Sequence, residues 1–313
     1  MLDVALSLLA CPVCGSALAR VDAGALGCAA GHRHDVARQG YVNLLGGRGA
    51  HGLTPDSTQM VLDRERIQSA GRYAPIARAL AAAAGDAVTA QGAGVPTIVA
   101  GGPAPAGPAA PPVPPAPLGG ADASVPRGLL DVGGGTGYYA VAVLHARPDL
   151  VGVSLDLSRP AARRAARAHG RLASVVGDAW AGLPLRDASC DLVTCVFAPR
   201  PAAEILRVLA PGGSLLVVTP GPGHLRTLVE AAGMVGVDER KDERLADRLA
   251  AFEAVDERVV STVETVGPAD AAAVVGMGPS AHHVRPDALH AALAQRESWP
   301  LEIDVRVRRY RRP

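Results

Sequence analysis

The apolar positions of this chain follow two patterns that meet near residue 127. Between residues 55 and 84, Met60, Leu62, Ile67, Ile76, Ala77 and Leu80 recur at helical spacing, with a break near Gly71. After Arg127, short apolar runs alternate with amphipathic ones. Gly128–Val132, Leu150–Leu155, Leu172–Val176, Asp191–Phe197 and Ser214–Thr219 predict strands, and Tyr138–Arg147, Arg159–His169 and Ala202–Leu209 predict helices between them. Helices follow near His224–Ala232 and Lys241–Phe252, then a β-rich Arg258–Val266, a helix near Pro286–Ala294 and a strand Glu302–Arg309. Such alternation predicts an α/β doubly wound sheet, with ligand beyond the carboxyl ends of the strands.

Composition divides the rest. Residues 1–50 are rich in Cys and His, residues 51–84 form a helical connector, and residues 85–126 are low in complexity. From Gly101 to Gly120, 18 of 20 residues are Gly, Pro or Ala. That composition offers too little apolar surface to offset the entropy of ordering, which predicts a flexible insert. The remainder, 127–313, is the α/β unit. With only two Trp, five Tyr and two Phe in the whole chain, the core must be built mostly from Ala, Val and Leu. The formal net charge is +1, so any affinity for a polyanion must come from local basic clusters. No apolar run reaches about 18 residues, which excludes a spanning helix. The segment from Met1 to Ala10 lacks a basic start and meets a Cys pair at once, so a cytoplasmic location with reduced thiols is expected.

The sharpest local chemistry is Cys11-x2-Cys14-x13-Cys28-x3-His32. Three thiolates and one imidazole suit a closed, tetrahedral, structural Zn2+ site, and His34 is a rival for the fourth position. Metal binding would supply folding energy that fifty residues could hardly find in a core of their own.

The second motif is Leu129-Leu130-Asp131-Val132-Gly133-Gly134-Gly135-Thr136-Gly137, an apolar strand ending in an acid and a glycine turn. Gly133, Gly135 and Gly137 let backbone approach a ligand closely. The spacing departs from that of dinucleotide folds. It resembles the first motif of class I S-adenosylmethionine-dependent methyltransferases, a Rossmann-like fold in which Asp131 would sit near the methionine amino group. Asp156 ends the second strand, where a carboxylate can accept ribose hydroxyls. Gly177-Asp178-Ala179 ends the third, at the adenine position of such enzymes, and Leu209-Ala210-Pro211-Gly212-Gly213 precedes the fifth as a turn. The fourth strand lacks the Asn/Asp-Pro-Pro-Tyr signature of exocyclic amino methylation. Cys190 and Cys195 have no activating neighbours in sequence and read as core thiols.

In combination, the zinc knuckle, the run His34-Asp35-Val36-Ala37-Arg38-Gln39-Gly40-Tyr41-Val42-Asn43-Leu44-Leu45, Asp56-Ser57, Ala70-Gly71-Arg72-Tyr73, Phe197-Ala198-Pro199 and Thr219-Pro220-Gly221-Pro222-x-His224-Leu225 resemble the 23S rRNA guanine-N1 methyltransferases of the RlmA family. The resemblance spans nearly all of the chain outside 85–126. It implies S-adenosyl-L-methionine as cofactor, a zinc-binding RNA-recognition domain, 23S rRNA hairpin 35 as partner and a homodimer framing an RNA cleft. Met277–Val284 departs from one branch and resembles the Gram-positive, tylosin-resistance branch, which implies guanine 748 as the target.

Basic stretches Arg159–Arg171 and Arg306–Arg312, and Arg33, Arg38 and Arg48 beside the knuckle, are candidate RNA contacts. Arg200, His224 and His282 are candidate partners for the guanine proton or O6, and spacing does not choose among them. A small-molecule methyltransferase shares the cofactor motifs but leaves the knuckle without a purpose. An inactive zinc-dependent RNA-binding module is opposed by the intact Asp131, Gly135, Asp156 and Asp178.

Overall fold

The predicted strands pair side by side because their apolar runs are buried on both faces, as in parallel sheets wrapped by helices. The computed structural model describes residues 2–46, 54–89, 127–233, 241–278 and 286–313. A 3-10 helix, Leu2–Leu8, opens the chain, followed by strands β1 (Leu18–Asp22), β2 (Ala25–Cys28), β3 (Arg33–Asp35) and β4 (Val42–Asn43). Helices α1 (Thr58–Ser69) and α2 (Ala74–Thr89) come next. Then β5 (Arg127–Val132), α3 (Tyr138–Ala146), β6 (Leu150–Asp156), α4 (Arg159–Ala168), β7 (Leu172–Val176), β8 (Cys190–Val196), α5 (Ala202–Val208) and β9 (Leu209–Pro220) alternate. The chain ends with α6 (Arg226–Ala231), α7 (Lys241–Arg248), β10 (Glu253–Val266), α8 (Pro268–Gly276), α9 (Pro286–Leu293) and β11 (Trp299–Arg311). Residues 90–126 of the Ala/Gly/Pro-rich segment lie outside the described residues, as do Arg48 and His282.

Eight strands form one mixed sheet in the order β10-β11-β9-β8-β5-β6-β7-β4, and β1-β2-β3 form a small antiparallel sheet. Strands β4 to β9 pair in parallel, while β11 runs antiparallel to both β9 and β10. Alternate residues of the sheet feed two cores. Leu130, Val132, Val153 and Val193 face one cluster, and Leu129, Leu150, Leu172 and Leu192 face the other, which holds residues of α2, α3, α8 and α9.

The first cluster also contains Leu2, Ala5, Leu8, Leu9, Cys11, Leu18 and Leu26. The N-terminal segment thus shares a core with the large sheet. Backbone bonds reinforce the join: Ala10 N donates to Pro184 O (3.0 Å) and Arg186 N to Leu8 O (2.9 Å). Val42 and Asn43 then add a last parallel strand beside Val175 and Val176.

Three local features differ from the pattern-based reading. The Pro211-Gly212-Gly213 turn lies inside β9 as a bulge, with the ladder to β8 jumping from Leu209 to Ser214 and Gly212 at φ 72°. Helix α8 has five consecutive buried residues, Ala271–Val275, and so shows no helical period. β10 starts five residues earlier than expected, at Glu253.

Candidate functional site

The small sheet gathers the knuckle residues. The donor atoms of Cys11, Cys14, Cys28 and His32 all lie within 4.8 Å of one another. Cys14 Sγ is 3.6 Å from Cys28 Sγ, and His32 Nδ1 is 3.4 Å from Cys28 Sγ and 3.7 Å from Cys11 Sγ. Bonds of about 2.3 Å to sulfur and 2.0 Å to nitrogen place tetrahedral ligand atoms roughly 3.5–3.8 Å apart, so the set fits Zn2+. His34 Nε2 lies 3.4 Å from Cys11 Sγ, beside the cluster but outside the four-atom set. The turn that makes this possible is local: Gly15 N donates to Cys11 O (2.8 Å), with Gly15 at φ 73°.

At the carboxyl edge of the large sheet, β5 ends at the glycine loop. Asp131 is 1% exposed, between Thr194 of β8 and Ser154 of β6 in the sheet ladder. Thr194 Oγ1 donates to Asp131 Oδ1 at 2.6 Å, while Asp131 Oδ2 and Ser154 Oγ are buried without a hydrogen-bond partner. Burial pushes the Asp131 carboxyl up to about 7. A buried, half-satisfied carboxylate beneath a glycine loop is complementary to a cationic amine. Gly134 passes so close that a Cβ there would sit 2.3 Å from Ser154 Oγ and 2.8 Å from Asp131 Oδ2. Sequence reading had singled out only its neighbours Gly133, Gly135 and Gly137, which adopt φ of 63°, 56° and 83°.

Asp156 closes the other side of the loop. Its Oδ2 accepts from Gly135 N and its Oδ1 from Ser158 N, each at 2.8 Å, which fixes the carboxylate while leaving lone pairs for further donors. Desolvation raises its pKa too. Asp178, buried at the end of β7, accepts from Trp180 N at 2.9 Å, and Ala179 is buried beside it. Asp131, Asp156 and Asp178 thus line successive strand ends, with the three glycines between the first two.

Helix α1 forms a roof that the motifs did not reveal. Arg64 Nη1 pairs with Asp56 (2.6 Å), Nη2 donates to Met277 O (2.8 Å), and Nη1 lies 3.3 Å from where a Gly135 Cβ would be. Thr136 Oγ1 donates to Gln68 Oε1 at 2.7 Å, and Ser158 Oγ to Asp56 O at 2.8 Å. These contacts join residues far apart in sequence.

The end of β8 supplies an aromatic platform. Ala198 Cβ would lie only 2.7 Å from a Cβ at Gly133, so the end of β8 abuts the glycine loop. Phe197 takes φ 53°, rare for a bulky residue, and is 42% exposed. Its ring stacks on His224 at 5.5 Å, and His224 meets the buried Tyr73 edge-on at 6.5 Å. Asp304 N donates to His224 Nδ1 at 3.3 Å, so the imidazole is held as a support for Phe197. The sequence signal for this residue was its place in the Phe197-Ala198-Pro199 match, which gave it no role. Cys190 and Cys195 are core thiols: burial raises both, Cys190 to about 12.

The basic stretches are largely engaged. Arg306 and Arg308 pair with Asp242 at 3.0 and 2.9 Å, Arg311 with Glu253 at 2.8 Å and Arg164 with Glu65 at 3.0 Å. Arg171 donates to the carbonyls of Leu144, Arg147, Pro148 and Leu150. No helix of the described residues is long and apolar enough to cross a membrane.

Residues 9–47 match the family described as the N-terminal zinc ribbon of RlmA, and residues 129–213 match a methyltransferase domain family. A 23S rRNA (guanine(748)-N(1))-methyltransferase from Streptomyces fradiae is 42% identical over 92% of this chain and 90% of its own. A relative from Micromonospora griseorubida, provisionally named for guanine-N1 methylation of 23S rRNA, is 43% identical over 97% of both chains. A solved 16S rRNA (adenine(1408)-N(1))-methyltransferase from Catenulisporales acidiphilia, 20% identical, covers 61% of this chain and 87% of its own with a TM-score of 0.38. The zinc-ribbon match and the near full-length relatives lead to one conclusion: the chain belongs to the family of RlmA-type 23S rRNA (guanine-N1)-methyltransferases.

Proposed function

We propose that this protein methylates N1 of a guanine in the hairpin 35 loop of 23S rRNA, guanine 748, and thereby contributes to resistance against tylosin-type macrolides. The observation that carries the reading is the exposed Phe197 ring, held in a left-handed conformation at the end of β8, next to Ala198, which abuts the glycine loop. A planar, exposed ring beside the glycine turn suits a base taken out of its stack. The rRNA identity of that base rests on family membership. Cys11, Cys14, Cys28 and His32 would hold Zn2+ and shape the ribbon that meets the hairpin. The protein would work in the cytoplasm as a homodimer.

The cofactor would lie over Asp131–Gly137, with its amino group on Asp131, its ribose on Asp156 and its adenine beside Asp178 and Ala179. S-adenosyl-L-methionine supplies an electrophilic methyl group on its sulfonium. Asp131 orients the amine, the glycine loop admits the chain closely, and Phe197 fixes the plane of the base. Most of the acceleration then comes from positioning for an in-line transfer.

Asp131 makes cofactor affinity pH-dependent. Its neighbours Asp156, Cys195 and Tyr139 offer no cation, so beyond the Thr194 hydroxyl and a backbone N–H it is the bound amine that would favour the carboxylate. Affinity for S-adenosylhomocysteine is expected to weaken as pH falls below about 7, approaching tenfold per unit. The ligand-free fold responds with the opposite sign. A carboxyl raised from 3.8 to about 7 loses its stabilising share as pH climbs through that window. Asp131→Asn should flatten both dependences and weaken binding by about ten- to a hundredfold, read by calorimetry across pH. Retention of the wild-type pH profile by the variant would remove Asp131 from the site.

The product test is primer extension. N1 methylation replaces a Watson–Crick donor by carbon, so reverse transcriptase should stop at the modified guanine in 23S rRNA exposed to the protein and S-adenosyl-L-methionine. Read-through across the loop, with methyl label appearing in a small metabolite, would reject the rRNA reading in favour of a small-molecule methyltransferase.

A further inference from the structure

The buried face of helix α1 carries a charge where an apolar residue would be at home. Met60, Val61 and Ile67 are buried, and Arg64, one helical turn from Met60 and one from Ile67, lies on the same face. A guanidinium turned inward needs acceptors. Asp56, in the segment that leads into the helix, supplies one: it pairs with Nη1 at 2.6 Å, and the two side chains are largely enclosed, Arg64 at 21% and Asp56 at 26% exposed. Met277 O, at the carboxyl end of α8, supplies another, accepting from Nη2 at 2.8 Å.

These two acceptors hold the guanidinium against the glycine loop. A Cβ on Gly135 would stand 3.3 Å from Arg64 Nη1 and 3.8 Å from its Cδ. At the preceding residue, Gly134, a Cβ would stand 2.8 Å from Asp131 Oδ2. The loop therefore has an anion at one glycine and a cation at the next. Each is fixed by a contact of its own, Asp131 by Thr194 and Arg64 by Asp56. The Arg64 charge reaches across the site: burial raises the Asp156 carboxyl and the Tyr73 and Tyr139 hydroxyls, and Arg64 acts against each rise. A guanidinium presents five N–H donors in a planar fork, so its two acceptors leave it able to engage a third.

We infer that Arg64 holds the carboxylate of the cofactor's amino-acid end, so that, with Asp131 on the amine, the glycine loop reads an α-amino-acid zwitterion by both of its charges. This rests on the cofactor placement proposed above. Among the groups of S-adenosyl-L-methionine only the carboxylate is an anion, and a fixed cation at the loop complements it alone. An end held at two points cannot pivot about either, so the loop orients the sulfonium as well as tethering it. The same guanidinium joins α1 to the loop and to α8, so the roof gains an anchor when the carboxylate arrives.

The test is calorimetry of the full-length, zinc-loaded protein with three ligands: S-adenosylhomocysteine, its decarboxylated analogue, which keeps the amine, and 5′-methylthioadenosine, which lacks both charges. Wild-type protein should bind S-adenosylhomocysteine at least about tenfold more tightly than the decarboxylated analogue. R64Q should lose about tenfold or more for S-adenosylhomocysteine, bind that pair within about twofold of each other, and hold 5′-methylthioadenosine as wild type does. R64K, with the charge but without the fork, should fall between the two. Q68A loosens the roof by removing the acceptor of Thr136 and should weaken all three ligands alike. Hydrogen exchange in α1 should slow when wild-type protein binds S-adenosylhomocysteine and not when it binds the decarboxylated analogue. Equal binding of that pair by wild-type protein would overturn the assignment whether or not R64Q folds. So would an R64Q protein that weakens all three ligands by one factor, the mark of a structural role. Wild-type protein that binds none of the three would overturn the cofactor placement as well, and the rRNA reading stands apart because no RNA enters the test.

Discussion

Gly135→Val is expected to weaken S-adenosylhomocysteine binding by about a hundredfold or more while the protein stays folded. Gly135 sits at φ 56°, a conformation that costs a residue with a Cβ roughly 1–2 kcal/mol. That cost is small against a domain stability of about 5–15 kcal/mol. The damage to the site is larger. A Cβ would meet Arg64 Nη1 at 3.3 Å, and the two further methyls of valine would need the space above the loop. Arg64 cannot swing away freely, because Asp56 and Met277 O hold its two nitrogens. Any relaxation of the loop also disturbs the Gly135 N–Asp156 bond. Calorimetry with a parallel melting curve checks both halves, and wild-type affinity in the folded variant would displace the cofactor from this loop.

Loss of the metal should reach well past the ribbon. Cys11→Ser, or removal of Zn2+ by chelation, is expected to lower the melting temperature by more than about 10 °C in a single transition. Cys11 is buried in the same cluster as Leu130, Val153 and Val193 of the central strands. Its neighbours Leu8, Leu9 and Ala10 are bonded to the segment from Pro184 to Arg186, before β8. Without the metal nothing ties the Cys11–Cys14 turn to Cys28 and His32, and the packed leucines behind the turn lose that anchor. Hydrogen exchange should accelerate in β7, whose outer edge Val42 and Asn43 cover. Elemental analysis should give about one zinc per chain before chelation. Two separated transitions, with the sheet melting at its original temperature, would show that the ribbon folds alone.

The central strands were legible because their signal is chemical and local. A strand buried on both faces reads as an unbroken apolar run, and Leu172–Val176 is found over the predicted residues. The ligand cluster was legible for the same reason, since Cys11, Cys14, Cys28 and His32 are close in sequence and their spacing fixes a turn. What stayed hidden was set by distant contacts. Arg64 looks like any polar helix residue until α1 is laid over a loop 71 residues later. Strand β4 has two residues, too few for any period, and exists only because β7 offers an edge. Among the arginines, sequence could count charges but not see which ones Asp242, Glu253 and Glu65 engage.

Phe197 holds a conformation that favours glycine or asparagine. Judged by folding energy alone, it is the wrong residue for its place, and relieving the strain would make the protein harder to melt. A laboratory selection for heat resistance would therefore tend to replace this phenylalanine and discard the ring proposed to hold the substrate base. On that proposal heat tolerance and methyl transfer would pull in opposite directions at this position, and only selection on activity would keep the aromatic ring there.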